Sequence, residues 1–328
     1  MDGLATLPGR AVTRLRKSWA ERSFERSAKD VLNTMPLRVT GDSPLFLSML
    51  PRRDLLPYLL AIKSLYAAVG HGRVAVINER GIIDHHSLTD DDLAVLRHHV
   101  PGIEIIDFCA ISTGRCPRGG TWERLVKIME LTKDGYVIQV DADTLVSAPI
   151  PEVVECIEAN RSFILGTDSG RAVLPAPETA KMVQGWIRTH GWKMEEVNVA
   201  VPAEAALDRL PGAAQKSYVH ASSGFAGFAR GAFSLDELEW FSTQMSDLIG
   251  ARLWHEKWGS EQVGSNYILA NAAGATVLPF PRYATFEPHL PPGEHAFLHY
   301  IGEYRYNDGV YRRRAAEFMA RYNRNANG

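Results

Sequence analysis

Cysteine is scarce in this sequence, and no two cysteines have the spacing of a Cys-x-x-Cys motif. The chain of 328 residues contains three cysteines, Cys109, Cys116 and Cys156, and an odd number cannot all pair with one another. Cys109 and Cys156 lie in apolar runs, which predicts that both are buried as small hydrophobic side chains. The scarcity argues against a fold held together by disulfide bonds and favours reduced thiols in a cytoplasm.

Long apolar runs are also missing. No stretch approaches the roughly 20 apolar residues that a membrane-spanning helix requires. The first residues contain no apolar core of signal-peptide length. We therefore expect a cytoplasmic protein that does not span a membrane.

The sequence lacks an excess of charge of either sign. A formal net charge of −2 gives no general reason to expect nucleic acid as a partner. The two ends are nevertheless basic, because residues 1–40 hold eight lysines and arginines against four acidic residues, and residues 312–324 hold five arginines. Solvated helix faces are the simpler interpretation, and peripheral contact with the inner face of a membrane is the alternative.

Strand and helix signals alternate through the first 150 residues. Short apolar runs predict strands, and amphipathic stretches with capping residues predict the helices between them. The predicted strands cover residues 43–50, 73–79, 103–108 and 136–143, and the helices cover residues 54–70, 87–102 and 121–135. This order predicts an α/β protein with a Rossmann-like, mixed but mainly parallel sheet, helices on both faces, and ligands at the carboxyl ends of the strands.

The second half of the chain has weaker signals. An apolar run predicts a strand over residues 162–168, and residues 169–220, rich in Pro, Ala and Gly, predict a helical or loop insertion. Later segments predict helices over residues 234–254 and 260–272, a short strand over residues 275–281 and a terminal basic helix. No repeat or linker interrupts the chain, so we expect one compact domain, residues 41–328, after a basic helical extension, residues 1–40.

Two aspartates stand one residue apart at the end of the fourth predicted strand. Asp141 and Asp143 follow the apolar segment "YVIQV" and so lie at the ligand edge of the predicted sheet. Neighbouring carboxylates repel each other and resist burial. A bound cation would remove both costs. Alternatively, one aspartate is a nucleophile and the other is its acid–base partner.

Two chemistries use such a pair. "DADTL" matches the short pattern Asp-x-Asp-x-Thr of haloacid-dehalogenase-like phosphatases, in which the first aspartate, here Asp141, attacks phosphorus. Those enzymes also need a downstream acidic pair for magnesium, and no Asp-Asp or Gly-Asp follows Asp143. In transfer from a nucleotide sugar, carboxylates instead hold a divalent ion that bridges the diphosphate. Alternation along a strand would send both side chains to one face, so we favour this second chemistry.

The segments around the aspartates resemble glycosyltransferases of the A-type fold. "VIQVDADTLVSAPIPEVVE" is similar to the Asp-x-Asp region of the group that contains glycogenin and the bacterial lipopolysaccharide glucosyl- and galactosyltransferases. "SSGFAGF", "SEQVGSNYILAN" and "LHYIGEYR" follow in the order of that group's Asn-x-Gly segment, Asp-Gln helix and C-terminal His-x-x-Gly. The resemblance covers residues 43–306. It departs from the pattern at the absent asparagine, at Glu261 in place of aspartate, and at "EYRY" in place of Lys-Pro-Trp.

The resemblance implies a metal site and a catalytic helix. It makes Asp141, Asp143 and His299 the ligands of Mn²⁺ or Mg²⁺, and one imidazole beside two carboxylates suits manganese at least as well as magnesium. It places Glu261 and Gln262 at catalytic positions, with Glu261 facing the anomeric carbon or the acceptor hydroxyl. Glu261 would act as a base in an inverting enzyme, whereas in retaining relatives the same helix orients the substrate.

Further positions are candidates for substrate contact. The residues expected near the nucleotide sugar are Asn78, Glu79, Arg124, Lys127, Asp141, Ala142, Asp143, Tyr304 and Arg305. Those expected on the acceptor side are Ser223, Gly224 and Phe225. For Arg124 and Lys127 a solvated helix face is an equal alternative. Asn78 and Glu79 have the alternative of a simple turn at the end of a strand.

Other histidines and tryptophans nearby have simpler interpretations. His289 and His295 lie close to His299 in the sequence, and only the order of the motifs selects His299 as the ligand. Trp254 and Trp258 are expected to pack in the core instead of stacking on sugars.

The sequence therefore predicts a metal-dependent hexosyltransferase. The donor would be a UDP- or GDP-sugar and the acceptor a sugar, lipid-linked or protein molecule, in bacterial surface polysaccharide or glycoconjugate synthesis. Residues 41–145 would form the nucleotide-binding half, residues 146–306 the acceptor-binding half and residues 307–328 a C-terminal basic helix. The phosphatase, and an inactive sugar-transferase-like scaffold that binds a partner through its basic ends, are the alternatives.

We predict that Asp143→Ala abolishes metal-dependent nucleotide binding and leaves the fold intact. The sequence places Asp143 at a functional surface, where its loss would relieve repulsion between carboxylates and open no core cavity. Titration of UDP and GDP with manganese, beside a thermal unfolding curve, measures both effects. Unchanged manganese-dependent affinity in a folded Asp143→Ala protein would contradict the assignment.

Overall fold

The structure is a computed structural model, which describes residues 7–78, 87–194 and 196–326. The strands are β1 (Leu45–Leu50), β2 (Arg73–Asn78), β3 (Glu104–Asp107), β4 (Val137–Val140), β5 (Thr144–Val146), β6 (Phe163–Gly166), β7 (Leu174–Pro175), β8 (Ser217–Tyr218), β9 (Ala221–Phe228), β10 (Thr276–Val277), β11 (Tyr283–Thr285) and β12 (Phe297–His299). The α-helices are α1 (Leu7–Ala28), α2 (Leu55–Val69), α3 (Asp90–His99), α4 (Trp122–Leu131), α5 (Pro151–Glu158), α6 (Ala176–His190), α7 (Ala200–Glu204), α8 (Leu235–Ile249), α9 (Ala251–Glu256), α10 (Ser260–Ala270) and α11 (Val310–Ala326).

Seven strands form the central sheet, in the order β10-β6-β9-β4-β1-β2-β3. The pairs β10–β6, β4–β1, β1–β2 and β2–β3 are parallel, and β9 alone runs antiparallel to its neighbours β4 and β6. A smaller sheet, β11-β12-β5, lies beside the end of β4. The expected α/β class with a mixed, mainly parallel sheet is confirmed.

The central strands β1 and β4 are buried along their whole length because both faces of the sheet are covered. All six residues of β1 are buried. In β2, Val74 and Val76 belong to one hydrophobic cluster, and Ala75 and Ile77 belong to the other. Alternate side chains of a strand point to opposite faces, so the two clusters are the cores above and below the sheet.

Local signals explain where the predicted helices begin and end. Thr89 and Asp92 form a capping box at the start of α3, in which each side chain accepts a hydrogen bond from the other's backbone N–H. Gly70 ends α2 with φ of 91°, a left-handed conformation that suits glycine. These residues stand where the sequence predicts the helix ends.

Strand β9 was not predicted, although it lies in the middle of the sheet. Its sequence "ASSGFAGF" contains two glycines and little of the β-branched residue content that usually indicates a strand. Gly227 is required by packing, since a Cβ there would lie 2.3 Å from a ring carbon of Phe163 and from the Tyr136 hydroxyl. The sequence does not predict this strand because its small residues serve close packing, which a single sequence does not reveal.

The insertion over residues 169–220 is mostly helical. It contains α6, α7 and the antiparallel pair β7–β8. At its end, the carboxylate of Glu204 is buried and lies 2.8 Å from Nδ1 of His220. Tyr218 donates a hydrogen bond of 3.0 Å to the same carboxylate. The pair therefore links the end of α7 to the residues that directly precede β9.

The two basic ends of the chain pack against each other. Phe24 of α1 stacks on Tyr311 of α11, with ring centroids 4.3 Å apart, and Arg312 donates a hydrogen bond to the Ser23 hydroxyl. Residues 18–28 and α11 therefore share part of the core above one face of the sheet. Among the described residues, no helix is long and apolar enough to cross a membrane.

One expectation about the core is wrong. Cys109 is exposed, because the chain turns in a 3-10 helix directly after β3 and carries the thiol to the surface. Cys116 and Cys156 are buried and free.

We predict that the pair of Glu204 and His220 makes part of the stability depend on pH. Burial lowers the pKa of His220, but the hydrogen bond and the charge of Glu204 outweigh burial and raise that pKa above its ordinary value. The folded state then binds the proton more tightly than the unfolded state, so the contribution is complete below about pH 6.5 and is lost as the pH rises through the folded-state pKa.

Urea unfolding of the wild type and of Glu204→Gln, at a series of pH values from about 6.5 upwards, measures the free energy of unfolding against pH. We expect a wild-type loss of about 1 kcal/mol, since His220 is partly exposed to solvent, and a flatter profile for the variant. Parallel profiles for the two proteins would show that the pair does not carry the pH dependence.

Candidate active site

The two aspartates lie in a turn that joins the sheets. Asp141 follows β4 at its carboxyl end and Asp143 precedes β5, and the residues between the strands form a turn. The Asp141 N–H donates to the Gly224 carbonyl at 2.9 Å, and the Thr144 hydroxyl donates to the Asp141 carbonyl at 2.9 Å. The expected edge position is correct, but a turn, and not the alternation of a strand, brings the carboxylates to one side.

His299 completes a cluster of three metal-ligating side chains. Strand β12 pairs with β5 so that His299 lies opposite Thr144, the residue after Asp143. Its Nε2 atom lies 3.2 Å from Oδ1 of Asp143 and 3.5 Å from Oδ2 of Asp141. The potential ligand atoms of the three residues all lie within 4.8 Å of one another, so the cluster could hold a divalent metal ion.

Small residues of β9 make room for this histidine. A Cβ on Gly224 would lie 2.0 Å from Cε1 of His299, so only glycine leaves space for the ring in this position. The Ser222 hydroxyl lies 3.3 Å from Nδ1, on the side of the ring away from the aspartates. A hydrogen bond there orients Nε2 towards the carboxylates, as the outer partners of metal-bound histidines do. The donor set and its support therefore fit a metal ion.

Two arginines balance the charge of the aspartates. Arg124 of α4 is buried, forms an ion pair with Asp141, and lies 3.8 Å from Glu261. Arg305 forms an ion pair with Asp143 and a second one, at 3.0 Å, with Asp54 in the short turn between β1 and α2. The alternative of a solvated helix face therefore does not apply to Arg124.

The ionisation of the cluster follows from these contacts. Burial raises the pKa of Asp143, but His299 and then Arg305 outweigh burial and hold that pKa below its ordinary value. Burial lowers the pKa of His299, but Asp143 and then Asp141 outweigh burial and raise that pKa. Opposite charges thus stabilise one another in a largely buried site.

The sequence predicts that Asp143→Ala leaves the fold intact because it relieves repulsion between carboxylates. The ion-pair partners of Asp143 show that this reason is wrong. Asp143 is surrounded by His299 and Arg305, so its removal would leave a buried cation without its partner instead of relieving repulsion. The isosteric Asp143→Asn keeps the hydrogen-bonding shape and is the better test.

Glu261 is a buried carboxylate beside the cluster. It lies in the first turn of α10, and its Oε2 accepts hydrogen bonds from the hydroxyls of Thr121 at 3.0 Å and Ser223 at 3.3 Å. Burial raises the pKa of Glu261 above its ordinary value, although Arg124 opposes the shift. Within the described residues, Oε1 is buried and has no hydrogen-bond partner. The Oε1 atom can therefore still accept a hydrogen bond.

Several predicted donor residues have other neighbours. Asn78 is buried at the end of β2 and accepts a hydrogen bond of 3.2 Å from the Leu88 N–H, while Glu79 lies outside the described residues. Lys127 pairs with Glu130 on its own helix, at 2.8 Å, and does not join the cluster.

The remaining candidates divide between the site and the core. Ala142 lies buried between the two aspartates, Gln262 is partly buried next to Glu261, and Tyr304 is partly buried against the core. Phe225 is fully buried and stacks on Phe297, with centroids 4.1 Å apart, so it supports β12 from behind.

The structure shows which of the other histidines and tryptophans lie in the core or in the metal-ligating cluster. His295 lies 2.9 Å from the Pro281 carbonyl, and neither His289 nor His295 belongs to the metal-ligating cluster. Trp254 is fully buried, as expected. Trp258 is not a core residue, because it lies in the loop before α10 and is 71% exposed.

Sequence reasoning missed Asp54 and Thr121. Asp54 follows β1 in "LPRRD", so the rule that ligands lie at the carboxyl ends of strands would have found it. Thr121 had no such signal, because it reaches Glu261 through contacts between distant segments. Ser222 lies in the segment "SSGFAGF", which the resemblance singled out without giving this serine a role.

Comparison with solved structures gives matches to glycosyltransferases. No protein-family model and no curated protein matches the chain. The apo structure of the bifunctional glycosyltransferase WbbM matches with a TM-score of 0.50 and 12% identity, over 88% of this chain and 51% of that one, so this chain spans about half of WbbM. The galactosyltransferase LgtC with donor and acceptor sugar analogues matches with a TM-score of 0.48 and 13% identity, over 84% of this chain and 95% of that one. Mouse xyloside xylosyltransferase 1 matches with a TM-score of 0.44 and 13% identity, over 79% of this chain and 97% of that one. The expected resemblance to glycosyltransferases of the A-type fold is confirmed at the level of the fold.

We predict that Gly224→Ala disrupts the metal site without a change in any ligand. The added methyl group would occupy the place of the His299 ring, so the ring must turn away from Asp141 and Asp143. Manganese affinity, measured calorimetrically, should fall about 10- to 100-fold, as it does when the outer support of a ligand is lost. The control is Gly135→Ala, where the new methyl group meets no atom within 4 Å and φ is not positive. Equal manganese affinity in the two variants would contradict this arrangement.

Proposed function

We propose that this protein is a metal-dependent glycosyltransferase, a hexosyltransferase that moves a sugar from a UDP- or GDP-sugar to an acceptor. The observation that carries the proposal is the cluster of Asp141, Asp143 and His299 at the carboxyl edge of β4, in a fold shared with glycosyltransferases. Nucleotide ligands bind at this edge of such sheets.

The charges around the cluster suit a sugar diphosphate. Arg124 and Arg305 lie on either side, each paired with one of the two aspartates. A divalent ion bound by those aspartates would bridge the diphosphate and neutralise charge on the leaving nucleotide. Arg305 is partly exposed, so its guanidinium can reach the diphosphate while it stays close to Asp143. We assign Mn²⁺ before Mg²⁺, because one ligand is an imidazole and magnesium prefers oxygen.

Glu261 is the group that we place beside the reacting atoms. Its raised pKa and its unpartnered oxygen suit a carboxylate that accepts a hydrogen bond from the acceptor hydroxyl. If the reaction inverts the configuration at the anomeric carbon, Glu261 takes the proton of the acceptor hydroxyl. If the reaction retains that configuration, Glu261 and Gln262 hold the substrate in place. Ser223 and Gly224 border the same space from β9.

The remaining parts of the proposal concern the two halves of the site and the pathway. We assign Asn78 and Tyr304 to the donor side and residues 169–220 to the acceptor side. We further propose a role in bacterial surface polysaccharide or glycoconjugate assembly, with a sugar, lipid-linked or protein acceptor. The resemblance of the motifs in sequence order supports these assignments.

The alternatives fit the geometry less well. A phosphatase would require Asp141 as a free nucleophile, and Asp141 is paired with the buried Arg124. It would also leave the histidine of the cluster without a role. An inactive scaffold would have no need for a buried carboxylate such as Glu261, one of whose oxygens accepts no hydrogen bond among the described residues.

We predict that nucleotides stabilise the protein only when metal is present. Thermal unfolding with UDP, GDP and ADP, each with and without Mn²⁺ or Mg²⁺, tests this. A nucleotide at about 100 times its Kd should raise the midpoint by about 5 °C. Stabilisation that is independent of metal, or given by inorganic phosphate alone, would contradict the proposal.

Three variants separate binding from transfer. Asp143→Asn should lose the stabilisation, whereas Glu261→Gln should keep it and lose nucleotide release from the donor sugar. The exposed Asp134→Asn, shortly before β4, is the matched control and should behave as the wild type. Normal release of nucleotide by Glu261→Gln would remove Glu261 from the reaction.

A further inference from the structure

The two basic ends of the chain form one surface. Residues 18–28 of α1, together with α11, contain seven arginines and three glutamates, in a chain whose formal net charge is −2. Phe24 packs between Tyr306 and Tyr311, with centroid distances of 5.3 Å and 4.3 Å, and holds the two helices together. Residues that lie almost 300 positions apart in the sequence therefore share one side of the protein.

A cavity of about 620 Å³ opens between these helices. Its walls are mostly apolar and include Trp19, Phe24 and Tyr306. Trp19 is 61% exposed, so its ring borders the opening and is not part of the core. A cavity with such walls can take up an apolar group from a ligand or partner.

Charged side chains border the opening. Arg22, Arg312 and Asp308 line the cavity. Arg22 donates to the Ser18 carbonyl at 3.2 Å and Arg312 to the Ser23 hydroxyl at 2.9 Å. In the part of the chain that the structure describes, neither forms an ion pair with a carboxylate within 4 Å, and the same holds for Arg26 on α1.

We propose that this surface, formed by residues 18–28 and α11 and called here the terminal-helix surface, docks on a lipid bilayer that contains anionic phospholipids. The apolar cavity and Trp19 match the acyl region and the interface, and the surrounding arginines match lipid phosphates. A partner for this surface needs an apolar part and a negative charge side by side, and an anionic lipid offers both. The inference goes beyond sugar transfer and does not depend on it.

The surface continues towards the candidate active site. Phe24 and Tyr306 also line the adjoining cavity of about 470 Å³, which contains Asp54 and Arg305. Arg305 in turn pairs with Asp143. A protein docked in this way holds the metal-ligating cluster close to the membrane surface.

Vesicle sedimentation without nucleotide or metal tests the proposal. The full chain is mixed with vesicles of phosphatidylcholine alone or with about one third phosphatidylglycerol. We expect binding to the anionic vesicles, weaker binding to the neutral ones, and a loss of binding as salt increases. Arg22→Gln should weaken binding about fivefold, which is the effect of one basic side chain near an anionic surface. Trp19→Ala should weaken binding at least as much.

Matched controls lie outside the surface. Trp258→Ala removes another exposed tryptophan, and Arg252→Gln removes an arginine that is 91% exposed and paired with Glu256. Both should bind vesicles as the wild type does, and thermal unfolding should show all four variants folded. Absence of wild-type binding to anionic vesicles would overturn the proposal. A dimer that Trp19→Ala dissociates, in a protein that ignores vesicles, would also overturn it and assign the surface to a second copy of the chain.

Discussion

Charge neutralisation of two closely spaced aspartates is the constraint on which the site depends. Asp141 and Asp143 lie where a buried strand ends, and Asp143 is almost completely out of contact with water. Each therefore needs a cation, and the protein supplies Arg124 from α4 and Arg305 from the C-terminal segment. Removing one member of such a pair leaves a buried charge without compensation, so these contacts tie distant segments to the end of β4.

The aromatic rings that pack closely against β9 can do so because the strand contains glycines. Gly224 allows the ring of His299 to lie against the strand, and Gly227 allows Phe163 to do so further along. Because β9 runs antiparallel between β4 and β6, its hydroxyl-bearing residues reach the same edge as the aspartates. Ser222 contacts His299 and Ser223 contacts Glu261, so one strand supports both the metal-ligating cluster and the buried carboxylate.

The reactive groups and much of the positive charge of the protein lie in different parts of the fold. The sheet and its strand ends hold the groups that can carry out chemistry, and α1 and α11 hold a large share of the chain's positive charge. Tyr306 lies between the two regions, next in sequence to Arg305 and in contact with Phe24 of α1. The surface and the site are therefore connected through a few adjacent residues.

The sequence by itself determined the elements whose signals are local. The apolar runs of β1, β2 and β4 and the capping residues of α3 are readable because strand periodicity and helix capping act within a few residues. Asp141 and Asp143 were recognisable because two carboxylates after an apolar strand are costly without a partner. The resemblance of ordered motifs added His299 and Glu261.

Only the tertiary structure decided which of the other residues belong to the site. It placed Arg124 beside Asp141 and left Lys127, three residues later on the same helix, paired with Glu130. It inserted β9 in the sheet, recruited Asp54, exposed Trp258, and brought α1 onto α11. Each of these outcomes depends on contacts between residues far apart in the chain, and the burial and pairing of a side chain are set by such contacts and not by its sequence neighbours.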